Sequence, residues 1–230
     1  NTMMENKWLG SKTGQGFYKK SKDAKGKTEI LTLDLDTMDY RSSKRASFAT
    51  LELTKTIDKV ADRFKVLVAG KDKAGEFYRK SFAALFAYVS HRIPEITDEL
   101  YKIDDAMKAG FGWEHGPFQI WDAIGIEKGL EIMKAEGETP AAWVNDMIAS
   151  GNKSFYTVKN GASYYYDIPK KSAEKIPGQD SFIILDNIRK SKEVFKNSGV
   201  VVEDLGDGIL NVEFQSKMNT IGGDVLAGLN

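Results

Sequence analysis

The chain holds no cysteine among its 230 residues, which excludes a disulfide framework, a thiolate nucleophile and a cysteine-ligated metal. That composition suits a reducing cytosol, so a cytoplasmic location is expected. Histidine is nearly as scarce. His91 and His115 are the only two, too few to build the usual three-ligand catalytic zinc site without a carboxylate. There is no excess of either charge: 33 basic residues balance 33 acidic ones, for a net charge of zero. A strong basic field for nucleic acid is thereby disfavoured. No apolar run approaches the ~20 residues that span a bilayer, and the N-terminus lacks the charged-then-apolar order of a signal peptide. The dinucleotide fingerprint Gly-x-Gly-x-x-Gly is missing too. Gly14-Gln15-Gly16 lacks the third glycine and runs into Phe17-Tyr18 and a polar stretch. It reads as a tight turn packing its aromatics onto a bundle. At 41% hydrophobic, the chain can still bury a substantial core.

The most informative stretch present is Ala106 to Gly125, AMKAGFGWEHGPFQIWDAIG. Gly110 can end a helix in the left-handed conformation. Gly116-Pro117 restarts one, because proline is tolerated at the first helical position. Phe118 and Trp121, three apart, share a face of the new helix. Trp113 lies in the corner, where it can pack against them. The segment reads as helix, corner, helix with an aromatic plug. Asp122 follows Trp121 and could cap or bridge to a neighbouring helix, a structural salt bridge being the favoured reading. Of Asp104 and Asp105, one is expected to face inward and accept from turn amides, since adjacent helical positions diverge by about 100°.

Elsewhere the pattern gives Lys19 to Lys27 as an exposed loop and Glu29 to Leu35 as a short strand or linker. A helix is expected from near Ser42, capped by Ser43 or Ser47 and stopped by Gly70. Others follow over about 75–92, 94–109, 117–135 and 139–151, with Phe77 and Ile96 among the inward residues. After Gly151 the period changes. Asn160-Gly161 sets a hairpin over 155–166. Ile168 to Gln179 reads as loop, Ser181 to Leu185 as a strand, Ile188 to Lys196 as a turn or two of helix, and Val200 to Phe214 as a second hairpin. A helix starting near Gly223 stops abruptly, as at an internal cut, and the first residues look like the middle of a longer protein.

Ala106–Gly125 resembles the C-terminal domain of the 3-hydroxyacyl-CoA dehydrogenase family, whose Gly-Phe-Gly-Trp…Gly-Pro-Phe…Asp…Gly string closes a helical repeat. Trp8 to Tyr18, WLGSKTGQGFY, is similar to the Lys-Thr-Gly-x-Gly-Phe-Tyr tail that ends the preceding repeat in that family. Asp204 to Asn219, DLGDGILNVEFQSKMN, resembles the first hairpin of the crotonase (enoyl-CoA hydratase) superfamily. The resemblance implies a mainly α fold, a 6-phosphogluconate dehydrogenase C-terminal-like helical bundle with a small α/β linker containing β-hairpins. It implies residues 1–24 as the tail of a preceding repeat, 25–41 as linker, 42–151 as the helical domain, 152–199 as an α/β linker and 200–230 as the truncated start of a crotonase domain.

The parent enzyme so implied oxidises (3S)-hydroxyacyl-CoA with NAD in fatty-acid β-oxidation and carries upstream Rossmann and downstream crotonase modules. The present piece would be scaffold and cleft wall, with neither active site and no cofactor of its own. No catalytic or metal residue is assigned. A second copy of the chain could cover a helical face left open by the missing repeat. Lys12, Lys19 and Lys20 are the candidates for touching coenzyme A phosphates, lysine acting as a point charge. Gly14, Gly16, Phe17, Tyr18, Gly110, Trp113, Gly116, Pro117, Phe118, Trp121 and Asp122 form the structural motif. Two other readings stand beside this one. In the first, the chain is a non-catalytic all-helical interaction module. In the second it is an enzyme by itself, for which His115 would have to be the base.

Overall fold

Three antiparallel sheets of three strands each overturn the expectation of a mainly α bundle. The computed structural model, which describes residues 1–44 and 46–230, is mixed α/β with 44% helix and 21% strand. The strands at 18–22 and 172–175, which lie in stretches expected to be loop, carry no apolar alternation. Cross-strand pairing, rather than an alternating apolar pattern, holds them.

Residues Asn1–Phe48 form one unit. A short helix, α1 (Thr2–Glu5), leads into the turn of the Gly-x-Gly motif, followed by β1 (Tyr18–Lys22), β2 (Thr28–Leu33) and β3 (Tyr40–Ser42) in that order across the sheet. The lysine-rich stretch expected as loop is therefore strand over its first four residues, with Tyr18 opposite Thr32 and Lys22 opposite Thr28. The rest is the loop expected, turning around Asp23, whose carboxylate accepts from the Lys25 and Lys27 amides, each at 2.9 Å. Phe17 and Tyr18 do not pack inward as expected; both are exposed. Trp8 and Tyr40 pair instead, ring centres 5.6 Å apart.

Ala49–Asn230 is the second unit. Its helices are α2 (Ala49–Thr54), α3 (Val60–Ala69), α4 (Lys73–His91), α5 (Leu100–Phe111), α6 (Pro117–Ile124), α7 (Ile126–Ala135) and α8 (Ala142–Ala149). The helix expected from Ser42 to Gly70 is thus two pieces. Asp72 ties them to α4. It caps that helix by accepting from the Gly75 amide at 3.0 Å, and it accepts from the Thr50 amide and hydroxyl at 3.0 and 2.8 Å. The helix expected over 117–135 is also divided, at Gly125 with φ 100°, a conformation that suits glycine alone. Phe77 and Ile96, expected inward, are 63% and 66% exposed.

Past α8 come β4 (Tyr156–Lys159), β5 (Ala162–Asp167) and β6 (Ser172–Lys175), then α9 (Leu185–Lys192), β7 (Glu193–Lys196), β8 (Val200–Gly206), β9 (Ile209–Phe214) and α10 (Gly223–Leu229). β6 occupies the stretch expected to be loop. The strand expected over 181–185 is absent, replaced by a 3₁₀ turn and the start of α9. Arg189 on α9 reaches Glu213 at 2.5 Å and lies 3.7 Å from the fully buried Glu203, which also accepts from Asn211 at 2.9 Å. These contacts hold α9 to β8 and β9.

The main core is an aromatic stack. Phe86 and Trp121 lie nearly parallel with centres 4.8 Å apart, and Phe155 meets Trp121 at 5.0 Å and Phe118 at 5.1 Å. A Cβ at Gly129 would lie 2.0 Å from Trp121 Nε1. The indole is clamped on all sides and cannot give way. Gly129→Ala should therefore destabilise by about 2 kcal/mol through overpacking, although alanine is the better helix former by roughly 1 kcal/mol. Urea denaturation measures this; an unchanged or raised midpoint would contradict it.

Candidate functional site

The Gly-Phe-Gly-Trp…Gly-Pro-Phe…Asp string is brought together around two acidic side chains. α5 runs through Gly110 and ends at Gly112, which takes the left-handed conformation at φ 66°. The stop assigned to Gly110 is thus two residues early, and Gly110 is helical and exposed. Trp113, expected in the plug, is 36% exposed; Phe155 and Phe86 take its place against Phe118 and Trp121.

Asp104 turns inward, as expected, and caps α6. Its carboxylate accepts from the Phe118 amide at 2.9 Å, the Gln119 amide at 3.0 Å and the Tyr156 hydroxyl at 2.8 Å. Gly116 makes this approach possible. A Cβ there would sit 2.3 Å from Asp104 Cβ and 2.4 Å from its Cα. Pro117 then occupies the first helical position, where its missing N–H removes no bond. Among the described residues Asp122 forms no salt bridge, against expectation. It accepts from the backbone amides of Phe155 and Tyr156 at 2.8 and 2.9 Å, fastening the entry of β4 to α6. This role left no trace in the local sequence, because its partners are backbone groups over thirty residues away.

Above these carboxyls opens a cleft of about 670 Å³, walled by Tyr101, Gln119, Asp122 and Tyr156 on one side and by Ile176, Phe182 and Ile184 on the other. Burial pushes the Asp104 carboxyl up to about 6 and that of Asp122 up to about 7, Asp104's charge adding to the second rise. Burial, with Asp104 beside it, also raises the Tyr156 hydroxyl. Values near neutrality suit proton transfer, but a base needs an oxygen free to face its substrate. Here both carboxyls are spent on backbone amides, so they act as anchors.

The raised values carry a sign. A carboxyl near 3.8 when unfolded and near 6 or 7 when folded is protonated more readily in the native state between those limits. Its contribution is full below about pH 4 and is lost as pH rises toward 7. Asp72, lowered to about 2 by its amide and hydroxyl donors, acts oppositely and only at the acid end. Denaturation midpoints should therefore fall between pH 4.5 and 7.5, and Asp122→Asn should flatten that slope. A wild-type midpoint that rises across this window would refute the assignment.

Neither histidine lines the cleft above these carboxyls, and among the described residues neither pairs with a carboxylate. His91 Nε2 lies 3.2 Å from the Thr139 carbonyl, a contact that ties the end of α4 to the segment before α8. His115 packs edge-on against Phe64, ring centres 5.7 Å apart, and its Nδ1 has no partner among the described residues. Among the lysines, Lys12 sits in a 3₁₀ turn. Lys19 and Lys20 are successive on β1 and so face opposite sides of the sheet, with the Lys19 ammonium 5.3 Å from the Tyr40 ring centre.

The family implies NAD, and the residues here do not fit it. Gly14-Gln15-Gly16 precedes a strand and opens no helix. A Cβ at Gly16 would lie 2.8 Å from Gly10, and its carbonyl accepts from the Tyr40 hydroxyl at 2.6 Å. The glycine serves the turn's own packing, with no room for a pyrophosphate to approach.

Comparison with known proteins agrees with the motif. Residues 71–165 match the model of the 3-hydroxyacyl-CoA dehydrogenase C-terminal domain. A Bacillus subtilis (strain 168) protein named a probable 3-hydroxyacyl-CoA dehydrogenase is 38% identical over 98% of this chain. Proteins of Rickettsia felis (strain ATCC VR-1525 / URRWXCal2) and Rickettsia prowazekii (strain Madrid E), both named for a fatty acid oxidation complex trifunctional enzyme, are 26% and 23% identical over 51% and 57% of it. The chain spans 28%, 15% and 16% of the lengths of these relatives. No solved structure matches it significantly. Residues 71–165, the Asp104-capped corner among them, carry the C-terminal domain of the 3-hydroxyacyl-CoA dehydrogenase family.

Proposed function

We propose that this chain is the structural and cleft-forming part of an NAD-dependent (3S)-3-hydroxyacyl-CoA dehydrogenase of fatty-acid β-oxidation. In this reading the nicotinamide site and the catalytic base belong to an upstream Rossmann module of the same polypeptide, and a crotonase module follows. The enzyme works in the cytoplasm and pairs as a dimer through its helical domain. The observation that carries the reading is the 38% identity to the Bacillus protein over 98% of the chain, which extends well beyond the matched helices. The geometry supports it: Asp104 and Asp122 are engaged by backbone amides, and among the described residues neither histidine pairs with a carboxylate. Groups so placed hold a cleft wall in position.

The test is NADH oxidation with acetoacetyl-CoA. The polypeptide encoded by the complete gene should turn over, and residues 1–230 alone should not. Turnover by the isolated chain, abolished by His115→Ala, would replace this reading with that of a self-sufficient enzyme. An inert complete polypeptide would favour a non-catalytic interaction module.

A further inference from the structure

We propose that the open face of the N-terminal sheet docks on an anionic lipid surface. Side chains along β1, β2 and β3 alternate between two faces, and cross-strand partners share one. The register sets Tyr18, Thr32 and Arg41 side by side, then Lys20 with Ile30, then Lys22 with Thr28. All but Thr32 are exposed, Tyr18 at 65% and Ile30 at 60%. The other face is closed by the unit's own packing. There Leu33 is buried, Trp8 lies against Tyr40, and the Lys19 ammonium stands over the Tyr40 ring. Glu29, the one acidic residue of these strands, is on that closed side, accepting from the Ser42 hydroxyl at 3.3 Å.

The charge on the open face is free to act. Arg41 pairs with Asp34 at 2.9 Å. Among the described residues Lys20 and Lys22 join no ion pair, and neither do Lys25 and Lys27 in the turn that follows β1. Residues 1–48 hold ten basic residues against six acidic ones, so the excess is local although the whole chain is neutral. Charge selects an anion, and the apolar groups select a surface. Lysine stems can lie beside Ile30 while their ammonium groups reach outward to headgroups. Tyrosine favours that same interfacial level, and each basic side chain near an anionic leaflet adds attraction. A single-stranded nucleic acid would need successive rings to stack on, and Tyr18 is the only aromatic among the strand residues of this face. A free phosphate would gain nothing from Ile30.

The experiment is co-flotation of residues 1–230 with vesicles of phosphatidylcholine alone or mixed equally with phosphatidylglycerol. The mixed vesicles should carry the protein and the neutral ones should not, and added salt should release it. Lys20→Gln/Lys22→Gln should weaken binding about tenfold, and Ile30→Ser should weaken it without changing the salt dependence. Lys65→Gln/Lys80→Gln removes as many charges from exposed positions on α3 and α4, where each lysine pairs with an acid of its own helix, and should leave binding unchanged. Circular dichroism checks that each variant folds. The proposal fails if neither vesicle binds, if both bind equally, or if the two double variants lose binding alike. Release from the vesicles by coenzyme A would make the face a site for a soluble phosphate, and release by oligothymidylate would make it a nucleic-acid site. Loss of binding in the polypeptide encoded by the complete gene would make it an interface between modules. Each of these would overturn the proposal too.

Discussion

Trp121→Ala is expected to destabilise the second unit by about 4 kcal/mol, the range for a large aromatic removed from a well-packed interior. Trp121 is fully buried, stacked on Phe86 at 4.8 Å and touched by Phe155 at 5.0 Å. Its indole N–H donates to the Ile126 carbonyl at 3.2 Å, which bridges the break between α6 and α7. Truncation therefore opens a cavity beneath two rings and frees the carbonyl that fixes the turn at Gly125. The environment resists collapse, since Phe86 and Phe118 are themselves held by α4 and α6. Trp113→Ala supplies the contrast. That side chain is partly exposed and outside the stack, so its loss should cost under about 1 kcal/mol. Urea midpoints of the two variants decide it. Equal losses would mean that the corner motif, and not the stack, holds the core together.

That contrast marks how far the sequence could be read. Phe118 and Trp121 were legible because helical spacing puts them on one face, and both are buried. The β4–β5 hairpin was legible from Asn160-Gly161, whose φ values of 51° and 77° are the pair a tight hairpin needs. The β8–β9 hairpin showed through its alternation about Gly206-Asp207-Gly208. β1 and β6 were not legible. Their residues YKKSK and SAEK carry no apolar alternation, and pairing with β2 and β5 alone makes them strands. Trp113 was misplaced because proximity in sequence stood in for proximity in space. Phe155, more than thirty residues from Trp121, completes the plug, and no local period could announce it. Gly129 looked like any helical glycine, since the indole that forbids a Cβ there comes from another helix.

The site divides in the same way. That one of Asp104 and Asp105 faces turn amides follows from the divergence of adjacent helical positions, and Asp104 does so. That Tyr156 would donate to the same carboxylate does not follow from the sequence, because the hairpin must first be folded back onto α5. Asp122 defeated sequence reasoning through a false expectation: a carboxylate suggests a cationic partner, whereas here two backbone amides serve. Backbone donors leave no residue-type signature.

Asp104→Ala should be nearly as damaging as loss of the tryptophan, by about 4 kcal/mol at pH 8. Three donors converge on this one side chain, the Phe118 and Gln119 amides and the Tyr156 hydroxyl. Alanine leaves all three without an acceptor in a site that is nearly closed to water, and each unsatisfied donor costs roughly 1–3 kcal/mol. Water entering the space recovers part of that sum, which is why the expected loss falls below the total. Asp104→Asn keeps one accepting oxygen but turns an N–H₂ toward donors, so about half the loss should remain. Tyr156→Phe removes one donor together with its need, and should cost only about 1 kcal/mol. The pair is coupled: in the double variant Asp104→Asn/Tyr156→Phe, the losses should sum to less than those of the single variants. Hydrogen exchange at the Phe118 and Gln119 amides reports the same network site by site. Protection lost there while the α4 amides stay slow would show that Asp104 holds the α6 entry in particular. Strict additivity in the double variant, with unchanged protection at both amides, would show that the carboxylate does not join corner to hairpin.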